Sequence, residues 1–380
     1  MRVLYVNHTG ALGGAERSLL ELLAVLPDEV EPTVACPDGP FAEAVRNLGI
    51  CCLGLHGVNG GLRLDPRQTP STLFRIAADA VTIRRQARRT GVEIVHANSI
   101  RAGLAAAAAG VPTIVFVRDC LPAGRVAALT KTILRSRSAL LLANSSYTAA
   151  SFGPSGSGRL RVAHPAVDLQ RFDPGLLPRA AARARIGIGL DAPALGVVAQ
   201  LTPWKGQDDA IRMVAALRPR FPGVRLLLVG APTFDHPATR FDNLGYERRL
   251  HELASECGVA GAVEFLGQRD DVPELLRALD LVLCPSWEEP FGRSVLEAMA
   301  MEVPVLATNV GGPAELVTDG VEGLLLPPRS PERWADAAAV LLTAPKQAAT
   351  MGRAGRRRAE GFSREAHLAS VMDAYASVVA

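Results

Sequence analysis

The fold class read from the sequence is α/β, built as two doubly wound units with open parallel sheets. Three observations predict it. Short apolar runs alternate with longer helical stretches almost from end to end, the pattern of parallel strands joined by crossover helices. The alternation comes in two series, separated by SFGPSGSGRLRVAHPAVDLQRFDPGLLP at residues 151–178, a stretch rich in Gly, Pro and Ser. At 380 residues the chain exceeds one ordinary core; about 150 residues per domain gives two or three units.

The first series opens with the strand inside MRVLYVN, residues 3–6, and continues with strands expected at 33–36, 51–55, 94–97, 113–117, 139–143 and 161–163. Helices are expected between them at 15–26, 72–89 and 124–135, and AGLAAAAAG at 102–110 reads as a tightly packed helix rather than low complexity. The second series has strands at 195–200, 225–229, 263–266, 281–284 and 303–307, each followed by a helical stretch. A boundary near residue 170 divides the chain into domains 1–170 and 171–362, with a terminal helix over 363–380 expected to pack back on the first domain.

Composition excludes several classes. With 48% apolar and 21% charged residues the chain folds rather than remaining disordered. The cysteines Cys36, Cys51, Cys52, Cys120, Cys257 and Cys284 show no C-x-x-C spacing, so they read as reduced thiols, without a disulfide scaffold or structural zinc. Residues 1–7 read as a strand rather than a signal peptide, and the most apolar run, 103–117, is broken by Gly110 and Pro112. It falls short of the ~20 residues that span a bilayer, so a cytoplasmic protein is expected. Net charge is +3, but residues 1–165 hold 18 Lys and Arg against 11 Asp and Glu. Only three of the 41 basic residues are lysine, an excess of arginine that reads as genome composition rather than a binding function; with no finger, helix-turn-helix or RNP pattern, no nucleic-acid partner is expected.

The chemistry concentrates in PSWEEPFGRSVLEAMAMEVPVLATNVGGPAELV, residues 285–317. Two carboxylates, Glu289 and Glu297, stand eight positions apart around a Phe-Gly turn that opens a helix. A helix amino end leaves N–H groups unpaired and carries partial positive charge, which suits phosphate, and Gly292 lets a ligand approach those amides. Glu289 sits where it can accept bonds from hydroxyls, and Glu297, one turn on, can reach a ribose diol. The same segment belongs to a longer ordered set: GGAER at 13–17, VEIVHANS at 92–99, LLANSSYT at 141–148, HPAVDLQRF at 164–172, WKGQ at 204–207 and EFLGQRDDVPELLRALDLVLCPSWEEPFG at 264–292.

In that order and spacing the chain resembles the retaining glycosyltransferases of the GT-B fold, specifically the GT4 group (glycosyl transferases group 1). The resemblance implies two Rossmann-like domains whose parallel sheets face a central cleft. It implies transfer of a hexosyl group from a nucleoside diphosphate sugar to an acceptor hydroxyl, retaining the anomeric configuration, so that an α-linked donor gives an α-linkage. No metal and no cofactor beyond that co-substrate are implied. Carried over by position, Glu289 assists at the reacting centre and Lys205 offsets charge on the leaving diphosphate; the amides near Phe291, Gly292, Arg293 and Ser294 hold sugar hydroxyls and diphosphate. Glu297 takes the ribose, Gln268 and Arg269 the base, and Gly14 the diphosphate on domain closure.

Two positions depart from the family pattern. Gln200 stands where an arginine commonly precedes the lysine by five residues, leaving Arg293 to compensate, and FVRDC puts Arg118 and Asp119 where a His-Asp pair is common. Acceptor contacts are expected from His8, Glu16, Arg118 and Asp119 and from the loops at 56–66 and 118–125, toward a sugar, lipid-linked or small-molecule acceptor. His96 and His164 read as structural. RRQARR at 84–89 caps a helix carboxyl end or touches anionic lipid, which would place the protein peripherally at the inner face of the cell membrane. A sugar-nucleotide 2-epimerase of the same fold and a non-catalytic nucleotide-sugar binding module are the alternatives.

Overall fold

In the first compact unit, residues 1–166 with 364–379, apolar strands are sandwiched between helices. The computed structural model describes residues 1–58, 69–121, 123–153, 158–233 and 241–379; most of the 56–66 loop lies outside them, as does residue 122 of the 118–125 loop. The strands of this unit are β1 (Arg2–Val6), β2 (Glu31–Cys36), β3 (Cys51–Gly54), β4 (Ile94–Ala97), β5 (Thr113–Val117), β6 (Leu140–Ala143) and β7 (Leu160–Val162). They pair in the order β3-β2-β1-β4-β5-β6-β7, every pair parallel. Strands β4, β5 and β6 are buried at every residue because helices cover both faces. One helix inside that packing, Ile100–Ala106, lies close on β5 because Gly103 has no side chain: a Cβ there would fall 2.6 Å from Val115. The terminal helix Arg364–Val379 belongs to this unit, and its Val371, Ala374 and Tyr375 are buried in the core beside Tyr5 and Phe116.

The second unit covers residues 167–233 and 241–363 among those described. It holds β8 (Ala194–Val198), β9 (Arg225–Val229), β10 (Val263–Gly267), β11 (Leu281–Cys284), β12 (Val305–Thr308) and β13 (Gly323–Leu326), parallel in the order β10-β9-β8-β11-β12-β13. Chain direction across each sheet reverses once, between β1 and β4 in the first unit and between β8 and β11 in the second. Loops leaving the carboxyl ends of strands at such a switch point part company, and the crevice between them is where this class of sheet binds ligands.

Several expected strands coincide with the observed ones to the residue, including β4, β5, β9 and β11. The strand expected from residue 303 begins at Val305, because Pro304 has no N–H to give the ladder; its carbonyl instead accepts from Val282. The alanine run 102–110 is helical only to Ala106, and a turn ends at Gly110 with φ 82°. Strand β13 is not among the expected strands: its four residues, GLLL, stand between a turn and two prolines and pair with β12.

Candidate functional site

In the second unit, two loops leave adjacent strands at the switch point and interlock. The first runs from β8 through the 3₁₀ turn Pro203–Lys205 to Gly206, which takes the left-handed conformation (φ 71°) and starts the helix Gln207–Leu217. A Cβ on Gly206 would lie 2.2 Å from the Pro285 carbonyl oxygen, so only glycine lets this loop meet the one that leaves β11. The backbone N–H of Trp287 then donates to the Trp204 carbonyl at 2.8 Å. Across that junction Lys205 Nζ donates to Glu289 Oε2 at 2.6 Å, with the two side chains only 16% and 9% exposed. Ser286 Oγ donates to the same oxygen at 2.9 Å. Beneath them the Cys284 thiol is pushed up to about 12 by burial and by the charge of Glu289, so it stays a neutral packing group.

A third loop fixes the backbone of Glu289. Its N–H donates to the Val310 carbonyl (3.2 Å) and its carbonyl accepts from Gly312 N–H (2.8 Å). A Cβ at Gly311 would sit 2.0 Å from the Glu289 oxygen and one at Gly312 2.4 Å from Phe291 Cα. Gly292, at φ 99°, ends the loop, and its carbonyl accepts from Val295 and Leu296 as the helix Arg293–Ala300 begins. Phe291 is buried in the core, so only its backbone is left to face a ligand. Arg293 and Glu297 meet one turn apart at 3.3 Å, and Ser294 is half-buried.

Three other residues expected to bind the donor have surroundings of their own. Gln200 Nε2 donates to the Thr233 carbonyl at 2.9 Å, and its own carbonyl accepts from Gln207. Gln268 is exposed; Arg269 is exposed too and makes a two-point pair with Asp271 at 2.8 and 2.6 Å. Ser286, Gly311, Gly312, Trp204 and Trp287 were not picked out from the sequence; the adjacent glycines of NVGG were the available signal, because paired glycines ahead of a short helix mark a close backbone approach.

The corresponding ends in the first unit hold a buried polar net. Arg118 is turned inward: its Nε and Nη2 donate to Asn98 Oδ1 (3.2 and 3.0 Å), its Nη1 to Ser18 Oγ (3.1 Å), and its guanidinium lies 3.9 Å from the Phe116 ring centroid. Asn98 Nδ2 donates to Asn7 Oδ1, and Asn7 Nδ2 donates to Glu16 Oε1. Glu16 Oε2 accepts the Gly13 N–H at 3.1 Å, capping the helix that begins at Gly14. Burial raises the Glu16 carboxyl above its usual range. His8 bonds Ser99 Oγ at 2.9 Å, and burial with the nearby Arg101 charge lowers its ring to about 3, so it is neutral at physiological pH. Of the residues expected to touch an acceptor, Glu16 and Arg118 are buried in this net, and Asp119 is exposed. His96 bonds Tyr375, and no cluster of three or more His, Cys, Asp or Glu suited to a metal ion occurs among the described residues.

Comparison with known proteins decides the family. Residues 12–171 match Glycosyltransferase Family 4, and residues 178–358 match the family described as glycosyl transferases group 1. The chain belongs to the GT4 glycosyltransferases. Its two parallel-sheet units are those of the GT-B fold. This GT4 chain is similar to the D-inositol 3-phosphate glycosyltransferase of Saccharomonospora viridis, 37% identical over 227 residues that cover 58% of the chain and 51% of that protein. The chain spans about half the length of the curated relatives it matches. Among solved structures, Anabaena Alr3699/HepE in complex with UDP and glucose superposes with a TM-score of 0.84 at 25% identity, covering 99% of this chain and all of that one. Sucrose-phosphate synthase from Thermosynechococcus elongatus shares the fold, with a TM-score of 0.79 at 22% identity over 99% of this chain and 98% of that one.

Proposed function

We propose that this GT4 chain transfers a sugar from a nucleoside diphosphate sugar to an acceptor hydroxyl with retention at the anomeric carbon. The observation that carries the reading is the Lys205–Glu289 pair at 2.6 Å, set at the switch point beside the Gly292 helix start. On donor binding the ammonium is positioned to exchange its carboxylate partner for the diphosphate, where it offsets charge on the leaving group. Glu289, released from Lys205 but still held by Ser286 and by the Gly311–Gly312 backbone, accepts bonds from donor hydroxyls. The bond from the anomeric carbon to the phosphate oxygen breaks and one to the acceptor oxygen forms on the same face. The acceptor proton passes to the departing phosphate, so no separate general base is needed. Lys205 and the helix amides carry the leaving-group charge in this scheme without a metal ion, and turnover unchanged by EDTA is the expected result.

UDP-sugars are the first donors to test, since the Anabaena protein is recorded with UDP and with UDP-glucose. D-inositol 3-phosphate is the first acceptor, from the names of the relatives. Purified protein would be screened for thermal stabilisation by UDP, GDP and dTDP, and the product anomer read by NMR. Lys205→Ala should lower turnover roughly 10²-fold or more. An inverted product, or a Lys205→Ala variant with wild-type turnover, sinks the reading. Epimerised donor formed without acceptor would favour the 2-epimerase, and binding without turnover the non-catalytic module.

Peripheral contact with anionic lipid has its own support in the helix Thr69–Thr90. It exposes Leu73, Phe74 and Val81 (60%, 69% and 67%) on the side that carries Arg84, Arg85 and Arg88, and its one acid, Asp79, is buried. No helix among the described residues is long and apolar enough to cross a membrane. Flotation with phosphatidylserine vesicles, lost on changing Phe74 and Val81 to serine, is the expected result.

A further inference from the structure

Lys205 is held from two sides, and only one of them is the carboxylate. Its ammonium lies 4.0 Å from the Trp204 ring centroid. Trp204 is anchored in turn, because its carbonyl accepts the Trp287 N–H at 2.8 Å. Over the Trp287 ring sits the guanidinium of Arg329, 4.2 Å from the centroid. The Trp287 indole N–H is enclosed with no acceptor among the described residues, so the ring is held through its faces and its backbone rather than through Nε1. Arg329 adopts φ 56°, one of two non-glycine residues described with positive φ. Backbone of that kind is costly for a residue with a Cβ and persists where the surroundings hold it. The charge of Arg329 also pulls down the carboxyl of Asp209, against the larger upward push of burial, in the first turn of the helix that starts directly after Lys205 and Gly206. Through Arg329 the loop after β13 thus meets the loop after β11 at Trp287 and acts on the helix behind the lysine loop at Asp209.

We propose that Arg329, Trp287 and Trp204 are positioning residues that set the height and direction of the Lys205 ammonium. The lysine stem has four rotatable carbons, and a single ion pair to Glu289 must break when a diphosphate arrives. An aromatic face under the ammonium holds it in place through that exchange, because the attraction to the ring survives the loss of the carboxylate. The inference rests on the reading that Lys205 meets the donor phosphates.

The test is a pair of double-mutant cycles on the full chain, with whichever of UDP, GDP and dTDP stabilises the wild type as probe. Trp204→Leu should weaken binding roughly tenfold and Arg329→Gly roughly threefold. Trp204→Phe, which keeps an aromatic face, should recover most of the loss. Arg329→Gly is also a folding control, since glycine accepts φ 56° without penalty and the melting temperature should hold. In a Lys205→Ala background both effects should vanish. Effects that persist at full size there, or that are absent from the single variants, overturn the proposal while leaving the role of Lys205 intact. A Lys205→Ala variant that binds nucleotide like the wild type overturns the functional reading itself, and this inference with it.

Discussion

Unit 1 ties the carboxyl ends of β1, β4 and β5 with amides and hydroxyls closed around one buried guanidinium, whereas unit 2 ties those of β8 and β11 with a lysine–glutamate pair, a serine and two adjacent glycines. The difference lies in what each arrangement can give up. In the first, Asn7, Asn98 and Arg118 spend several donors on one another, and withdrawing any one leaves buried groups unsatisfied. Such a net fixes shape. In the second, a largely buried ammonium shares one carboxylate oxygen with a hydroxyl, so an incoming anion can take the carboxylate's place while the hydroxyl still holds Glu289. That arrangement keeps a charge ready, and the backbone clamp on Glu289 keeps it in place meanwhile.

The contrast can be broken most forcefully at Gly311. Its Cβ would lie 2.0 Å from a backbone oxygen at φ 108°, so Gly311→Ala should destabilise unit 2 by roughly 3 kcal/mol or more, with hydrogen exchange accelerating there and not in unit 1. An unchanged exchange pattern would mean the loop relaxes freely and does not clamp Glu289. Next in size is Arg118→Leu, which strands Asn98 Oδ1 and removes the stack on Phe116. A loss of about 2–3 kcal/mol confined to unit 1 is expected by the same measurement. Were Arg118 an acceptor ligand instead, stability would hold and acceptor KM would rise.

The smallest effect sharpens the comparison by sign. His8 and His96 are lowered to about 3, chiefly by burial, so they bind fewer protons folded than unfolded, and unit 1 should lose stability as pH falls below about 6.5. Asp209 of unit 2 is raised to about 6, first by burial and then by Asp208, so its folded form binds the extra proton. Its contribution runs the other way, with stability falling as pH rises from about 4 through 6. Asp209→Asn should gain roughly 1–2 kcal/mol at pH 8 and nothing at pH 4, read from denaturant midpoints across pH. A gain of equal size at both pH values would show that packing, not charge, is at stake.

Much of the fold was legible because its signals are local. Strands such as TIVFV at β5 and LVLC at β11 are continuous apolar runs, the mark of strands buried on both faces, and turn residues bound them. The candidate site was legible as residue types: Lys205, Glu289, Gly292 and Glu297 stand out by motif. His8 and Arg118 stand out by their place near strand ends and Glu16 by the GGAER motif, but position says nothing about which way a side chain turns. Glu16 reaches back three residues to cap its own helix, and Arg118 folds under Phe116.

By itself the sequence determined the two series of strands, their parallel pairing through crossover helices, and which loops stand at strand ends, since each follows from apolar period and turn chemistry within a short window. Only the tertiary structure decided that Lys205 and Glu289, 84 positions apart, come within 2.6 Å, that Gly311 underpins the glutamate, and that Arg329 reaches Trp287. Those contacts depend on sheet order, which brings β8 beside β11 across the switch point, and strand order is set by the packing of the whole unit rather than by any segment of it.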